Sequence, residues 1–232
     1  MREVVLDTET TGLEPHDGHR IVEIGALELL NHVPTGRVFH TYLNPERDMP
    51  ADALSVHGLT SVFLRDQPRF ADIVDDLLAF LDHDREANPA SAGLVIHNAG
   101  FDLAFVNSEL VRLGRAPLGT ERRIVDTLLL ARARFPGAPN SLDALCRRFS
   151  VDASVRVKHG ALLDAELLAE VYLGLLGGRQ PDLGLVVQTS RRTVILARER
   201  VPRPPRPHAP DAAELAAHQA FLALIKDPIW LG

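Results

Sequence analysis

With 232 residues, 46% of them hydrophobic, the chain can bury one substantial core and still have a tail to spare. No stretch is long and apolar enough to span a bilayer and no charged-then-apolar signal opens the chain, so a cytoplasmic protein is expected. The net charge of −6 argues against a protein that grips nucleic acid unaided, because phosphate contacts need Lys and Arg. In chain order, a strand at 3–7 leads into Asp7-Thr8-Glu9-Thr10-Thr11-Gly12. Strand-like runs follow at 20–30 and 36–43, where Glu23, Glu28 and other polar residues interrupt the apolar ones as in a meander. A helix pattern covers 70–81, then a strand 93–97, helices near 101–113, 126–134 and 141–149, and a long one at 160–176. Three strands first and then alternating strand and helix indicate an α/β architecture, a mixed central sheet flanked by helices. The single cysteine, Cys146, sits among Leu142, Leu145 and Phe149 and reads as a small core residue.

The chemistry is concentrated in a few residues. Strand alternation puts Asp7 and Glu9 on the same face, about 7 Å apart at Cα, where two carboxylates can share hard cations. Asp102 arrives after the apolar run Gly93-Leu94-Val95-Ile96, and Asp164 lies one turn into the long helix. Acids from several segments are what two divalent ions need to stabilise the attacking and leaving oxygens of an in-line phosphodiester displacement. The attacking water also needs a proton acceptor near neutral pH, and His159, just before the helix that carries Asp164, is the side chain suited to it. A loop there could bring it to the water. Taken singly, each residue has a plainer explanation: a turn and helix cap at Asp7 and Glu9, a helix N-terminal acid at Asp102, a surface histidine at His159. Five such coincidences in this order are the less economical account.

At these positions the chain resembles the DEDDh 3′-5′ exonucleases, named for four acids and a histidine. Asp7-Thr8-Glu9-Thr10-Thr11-Gly12 is similar to their first motif, His97-Asn98-Ala99-Gly100-Phe101-Asp102 to the second and His159-Gly160-Ala161-Leu162-Leu163-Asp164 to the third. Phe135-Pro136-Gly137, Asn140-Ser141-Leu142-Asp143-Ala144-Leu145-Cys146 and the run from Asp164 through Tyr172 narrow the resemblance to proofreading epsilon subunits of bacterial DNA polymerase III. It implies a ribonuclease H-like fold with its site at the end of the first strand. It further implies two divalent ions, Mg²⁺ or Mn²⁺, on Asp7, Glu9, Asp102 and Asp164, with His159 as general base. Thr10, Val56, His57, Asn98 and Phe101 match the positions that bind the terminal nucleotide of a single-stranded or frayed 3′ DNA end. Asp126 is either an acid supporting the ligands from behind or an ordinary helix N-terminal Asp.

After Gly177-Gly178 the composition changes, so residues 1–178 are expected to form the exonuclease domain, 179–208 a linker and 209–232 a tail. Residues 179–232 carry eight Lys/Arg against five acids, leaving residues 1–178 acidic enough to need ions and partners to deliver DNA. Gln180, Leu183 and Leu185 resemble the short peptide by which replication proteins dock into the sliding clamp. Pro202, Pro204, Pro205, Pro207 and Pro210 favour an extended spacer. A helix over 212–226 then presents Leu215, Phe221, Leu222 and Ile225, followed by the only tryptophan, Trp230. The resemblance names the polymerase III alpha subunit as the partner of this tail. Two other readings compete. A stand-alone exonuclease trimming RNA or small oligonucleotides would use the same site but needs no tethered anchor, and a noncatalytic adaptor joining polymerase to clamp needs no intact acid set.

Overall fold

The structure is a computed structural model and describes residues 1–83, 93–118, 122–154, 156, 158–178 and 209–226. The chain divides into two units, Met1–Leu183 and Gly184–Gly232, and each is taken by itself.

The first unit is built on a five-stranded sheet in the order β3-β2-β1-β4-β5. The strands are β1 (Arg2–Thr10), β2 (Ile21–Leu30), β3 (Val33–Tyr42), β4 (Gly93–Ile96) and β5 (Ile124–Asp126). β1, β2 and β3 form an antiparallel meander, while β4 and β5 run parallel to β1. The sheet is therefore mixed, as expected. Three parallel strands place their C-terminal ends at one edge, so Glu9, the turn at His97-Asn98 and Asp126 emerge together.

Alternation along β1 divides the core. Val4 and Leu6 pack with Ile24 against α3 (Phe70–Asp82) and α4 (Ala99–Arg112) through Phe70, Leu77, Phe105 and Leu110. Val5 faces the other way, with Leu27 and Leu29, against α6 (Leu142–Phe149) and α7 (Ala161–Leu175). Cys146 is buried in this second cluster, as expected. α7 buries ten of its residues, so it is a core helix covered on most sides rather than an amphipathic surface helix.

Three short elements have no counterpart in the expected pattern: α1 (Ala51–His57), α2 (Ser61–Arg65) and β5. At three to seven residues they are too short to set up a readable period. A 3₁₀ turn, Pro15–Asp17, precedes β2, and α5 (Thr127–Arg134) follows β5 directly. The acids in the meander are buried and each is bonded to a side chain. Glu28 accepts from Arg2 Nε at 2.5 Å and Arg37 Nη1 at 3.0 Å, and Glu23 Oε1 lies 2.8 Å from His40 Nε2. Glu3 accepts from the Tyr172 hydroxyl at 2.8 Å, which ties β1 to α7.

In the second unit, α8 (Ala212–Leu222) opens with a capping box between Asp211 and Glu214. It ends at Leu222 instead of continuing to 226. The N–H groups of Leu224 and Ile225 bond three residues back, the tightening that precedes a helix end, and Pro228 in the sequence disfavours helix at the residue before it. Leu215 and Phe221 are exposed, Leu222 is buried and Ile225 half-buried. Gln180, Leu183, Leu185, the rest of the expected linker 179–208, and Trp230 lie outside the described residues.

Candidate active site

The same alternation that splits the core aims Asp7 and Glu9 toward the α7 side of β1 and Thr8 toward the α4 side. In the β1–β2 register Asp7 stands opposite Gly25 and Glu9 opposite Glu23. Gly25 lets α7 lie directly on the strand: a Cβ there would sit 2.2 Å from the Leu162 backbone nitrogen and 2.3 Å from the Ala161 carbonyl carbon. That close approach carries Asp164, in the first turn of α7, up to the two acids.

Glu9, His159 and Asp164 meet, with one ligand atom from each lying within 4.8 Å of the others. His159 Nδ1 is 3.1 Å from Asp164 Oδ2. Between them enters a residue that the sequence reading missed: Arg156, whose Nη2 lies 2.5 Å from Asp164 Oδ2 and 2.7 Å from His159 Nδ1. The two contacts at Nδ1 exclude one another, since Arg156 needs a lone pair there and Asp164 needs a proton. Asp102 is not one of this trio, though its charge reaches Asp7 and Glu9. It is buried and accepts from Thr8 Oγ1 at 2.7 Å.

Burial dominates the electrostatics. It pushes the Glu9 carboxyl up to about 8, with Asp164 and Glu23 adding to the rise and Arg156 opposing it. The Asp7 carboxyl also rises well above the ordinary range, through burial and then the charges of Asp102, Glu9 and Asp164. Burial raises Asp102 to about 7 against the hydrogen bond from Thr8. Asp164 Oδ1 is buried and has no hydrogen-bond partner among the described residues. Dry carboxylates short of donors and of positive charge, offering oxygen ligands, fit hard divalent cations.

Beside Glu9 opens a cavity of about 580 Å³ whose lining includes Thr10, Val56, His57 and Phe101. Thr10 Oγ1 donates to the Gly12 carbonyl at 2.6 Å. His57 Nδ1 accepts from the Leu59 N–H at 3.0 Å, which leaves the ring proton on Nε2, and burial lowers the ring's affinity for a second proton. Phe101 packs on Phe105 with ring centroids 5.0 Å apart. The loop bearing His159 is tied to the cavity wall, because Lys158 Nζ donates to the Ser55 carbonyl at 3.1 Å and the His159 N–H to Val56 at 3.4 Å.

Asn98 is exposed and does not line the cavity; it holds a left-handed backbone with φ 67°. Asp126 secures that turn, accepting from the Asn98 and Ala99 N–H groups at 3.2 and 3.1 Å. The same carboxylate caps α5 through Leu128 and Leu129 at 2.9 and 3.2 Å. Asp126 is thus the N-cap of α5 and also fastens the turn that starts α4, the helix that carries Asp102. Of the residues the sequence reading missed, Gly25 left a signal, a glycine inside an apolar strand where another backbone comes close.

Comparison with known proteins identifies the lineage. A family model described as Exonuclease (RNase_T) matches residues 4–172. The chain belongs to this exonuclease family. The DNA polymerase III subunit epsilon of Rickettsia felis is 48% identical over 230 residues, which is 97% of either chain. That of Escherichia coli (strain K12) is 42% identical over 236 residues, 97% of this chain and 93% of the other. The nuclease domain of 3'hExo, a DEDDh family member bound to rAMP, superposes with a TM-score of 0.63 at 16% identity, covering 77% of this chain and 92% of that one. The fold is ribonuclease H-like, and exonucleases of this family use divalent metal ions.

Proposed function

We propose that this exonuclease proofreads for the replicative DNA polymerase III, removing mismatched 3′-terminal nucleotides as nucleoside 5′-monophosphates. The observation that carries the reading is the convergence of Glu9, His159 and Asp164 within 4.8 Å, with Glu9 also lining a cavity of about 580 Å³. Asp7, Glu9 and Asp164 would hold two Mg²⁺ or Mn²⁺ ions, with Asp102 assisting directly or through water. Such ions supply Lewis acidity toward the phosphate and charge neutralisation at the leaving oxygen. The protein's own part is proton handling and placement. With Nδ1–H donated to Asp164 Oδ2, His159 presents a free Nε2 lone pair that takes the proton of the attacking water. Thr10, Val56, His57 and Phe101 hold the terminal base and sugar, Asn98 contributes from the rim, and Asp126 fixes the turn beneath.

Residues 1–178 form the catalytic domain in this reading. Residues 179–208 tether it, with Gln180, Leu183 and Leu185 engaging the sliding clamp. Residues 209–232 bind the polymerase alpha subunit through Leu215, Phe221, Leu222, Ile225 and Trp230, which places the protein in the cytoplasmic replisome. The relatives' names, DNA polymerase III subunit epsilon, and the exposed Leu215 and Phe221 on α8 support it.

The test uses 5′-labelled single-stranded DNA with Mg²⁺. The expected product is a ladder shortened one nucleotide at a time from the 3′ end. His159→Ala should slow single-turnover hydrolysis by roughly 10²-fold to 10⁴-fold, the range for a positioned general base. A parental rate in that variant would assign the base elsewhere.

A further inference from the structure

Arg156 brings positive charge into the acid cluster from a loop. Its side chain is only 7% exposed, and besides Asp164 and His159 it pairs through Nη1 with Asp143 at the start of α6, whose side chain is 53% exposed. Its field opposes the rise of the Asp7 and Glu9 carboxyls. Yet its grip on Asp164 is incomplete. A strong guanidinium–carboxylate pair is forked, with two parallel bonds. Here only Nη2 reaches Asp164, and both Arg156 Nε and Asp164 Oδ1 are buried without a hydrogen-bond partner among the described residues. A further cavity of about 230 Å³ opens against the same side chain, lined by Asp143, Ala153, Arg156, Lys158 and His159. The guanidinium thus has room to turn away from Asp164 while keeping Asp143.

We propose that Arg156 is a built-in counter-cation that competes with divalent ions for Asp164 and so sets the ion affinity of the site. It yields toward Asp143 when an ion takes its place. The inference rests on the reading of Asp7, Glu9 and Asp164 as cation ligands. It has a consequence for His159. While Nη2 donates to Nδ1, the ring proton sits on Nε2 and that nitrogen has no lone pair for water; once Arg156 withdraws, Nδ1–H can turn to Asp164. Arg156 is in this sense a positioning residue, coupling ion occupancy to the readiness of the base.

The experiment is calorimetric titration of the full chain, stripped with chelator, with Mn²⁺. Removing a positive charge a few ångströms from the ligands should let Arg156→Gln bind Mn²⁺ about tenfold more tightly than the parent. Arg156→Lys, which keeps the charge but not the planar fork, should fall between them and reports even if the Gln chain fails to fold. In thermal melts Arg156→Gln should be less stable than the parent without ions, and the gap should close in saturating Mn²⁺. Equal or weaker Mn²⁺ binding by both variants, or the same loss of melting temperature with and without Mn²⁺, would overturn the proposal in favour of a purely structural role. Asp164→Asn serves as the control and should bind Mn²⁺ more weakly. Parental affinity there would instead remove the metal-ligand reading itself.

Discussion

Burial, more than proximity, gives the acids of this site their character. Glu9 has an ordinary carboxyl value of 4.5 and is held up at about 8, so the folded state keeps a proton that the unfolded chain has already released. Stability from this group is complete below about 4.5 and is lost as pH rises through about 8. Without divalent ions the melting temperature should therefore fall as pH rises across that window, and Glu9→Gln should flatten the fall. Parallel melting curves for parent and variant from pH 4.5 to 8 would show that Glu9 is not the strained group. At this scale much was legible. Asp7 and Glu9 share a face because strand alternation is geometric, and the helix pattern put Asp164 in a first turn. Arg156 was not, because its distance from Asp164 is set by an aperiodic loop. Nor was the bond from Thr8 to Asp102, which joins the α4 side of β1 to an acid whose charge is felt at Asp7.

Among the elements, the packing of α7 on β2 decides whether the site exists. Gly25→Ala would force its methyl into the backbone of Ala161 and Leu162, where no side-chain rotation relieves the clash. Overpacking of this kind costs about 1–3 kcal/mol. A shift of α7 by about 1 Å would lower hydrolysis roughly 10²-fold, since misplaced groups lose that much. Denaturant unfolding and single-turnover rates measure the two effects, and a fully active, fully stable Gly25→Ala chain would show that α7 does not need this contact. The long elements β2, α3 and α7 were readable from sequence, α3 by its apolar stripe and the other two by the length of their apolar runs. α1, which brings Val56 and His57 to the cavity wall, and the short α2 after it were not, because one or two turns carry no period. The meander itself was legible, but the partners of its acids were not: Glu23 and Glu28 meet His40 and Arg37 across the β2–β3 register, and Glu28 also meets Arg2 from β1.

For the whole molecule, the division of charge and the two compact units suit an acidic enzyme that is carried to its substrate. If residues 209–232 bind the polymerase as proposed, truncation after Pro207 should leave hydrolysis of free single strands unchanged while abolishing co-purification with the polymerase, because an aromatic anchor of the kind proposed for Trp230 often costs more than about 2 kcal/mol when removed from an interface. A truncated chain that aggregates would place the tail in the fold of the first unit instead. One comparison decides whether the protein is a metal-dependent proofreading exonuclease. 5′-labelled primer–template duplexes, identical except for a matched or mismatched 3′ terminus, are incubated with the purified full chain with Mg²⁺ or with chelator. The 3′ nucleotides should be lost stepwise, only with Mg²⁺, and faster at the frayed, mismatched end. Hydrolysis that persists in chelator, or that proceeds from the 5′ end, would contradict it.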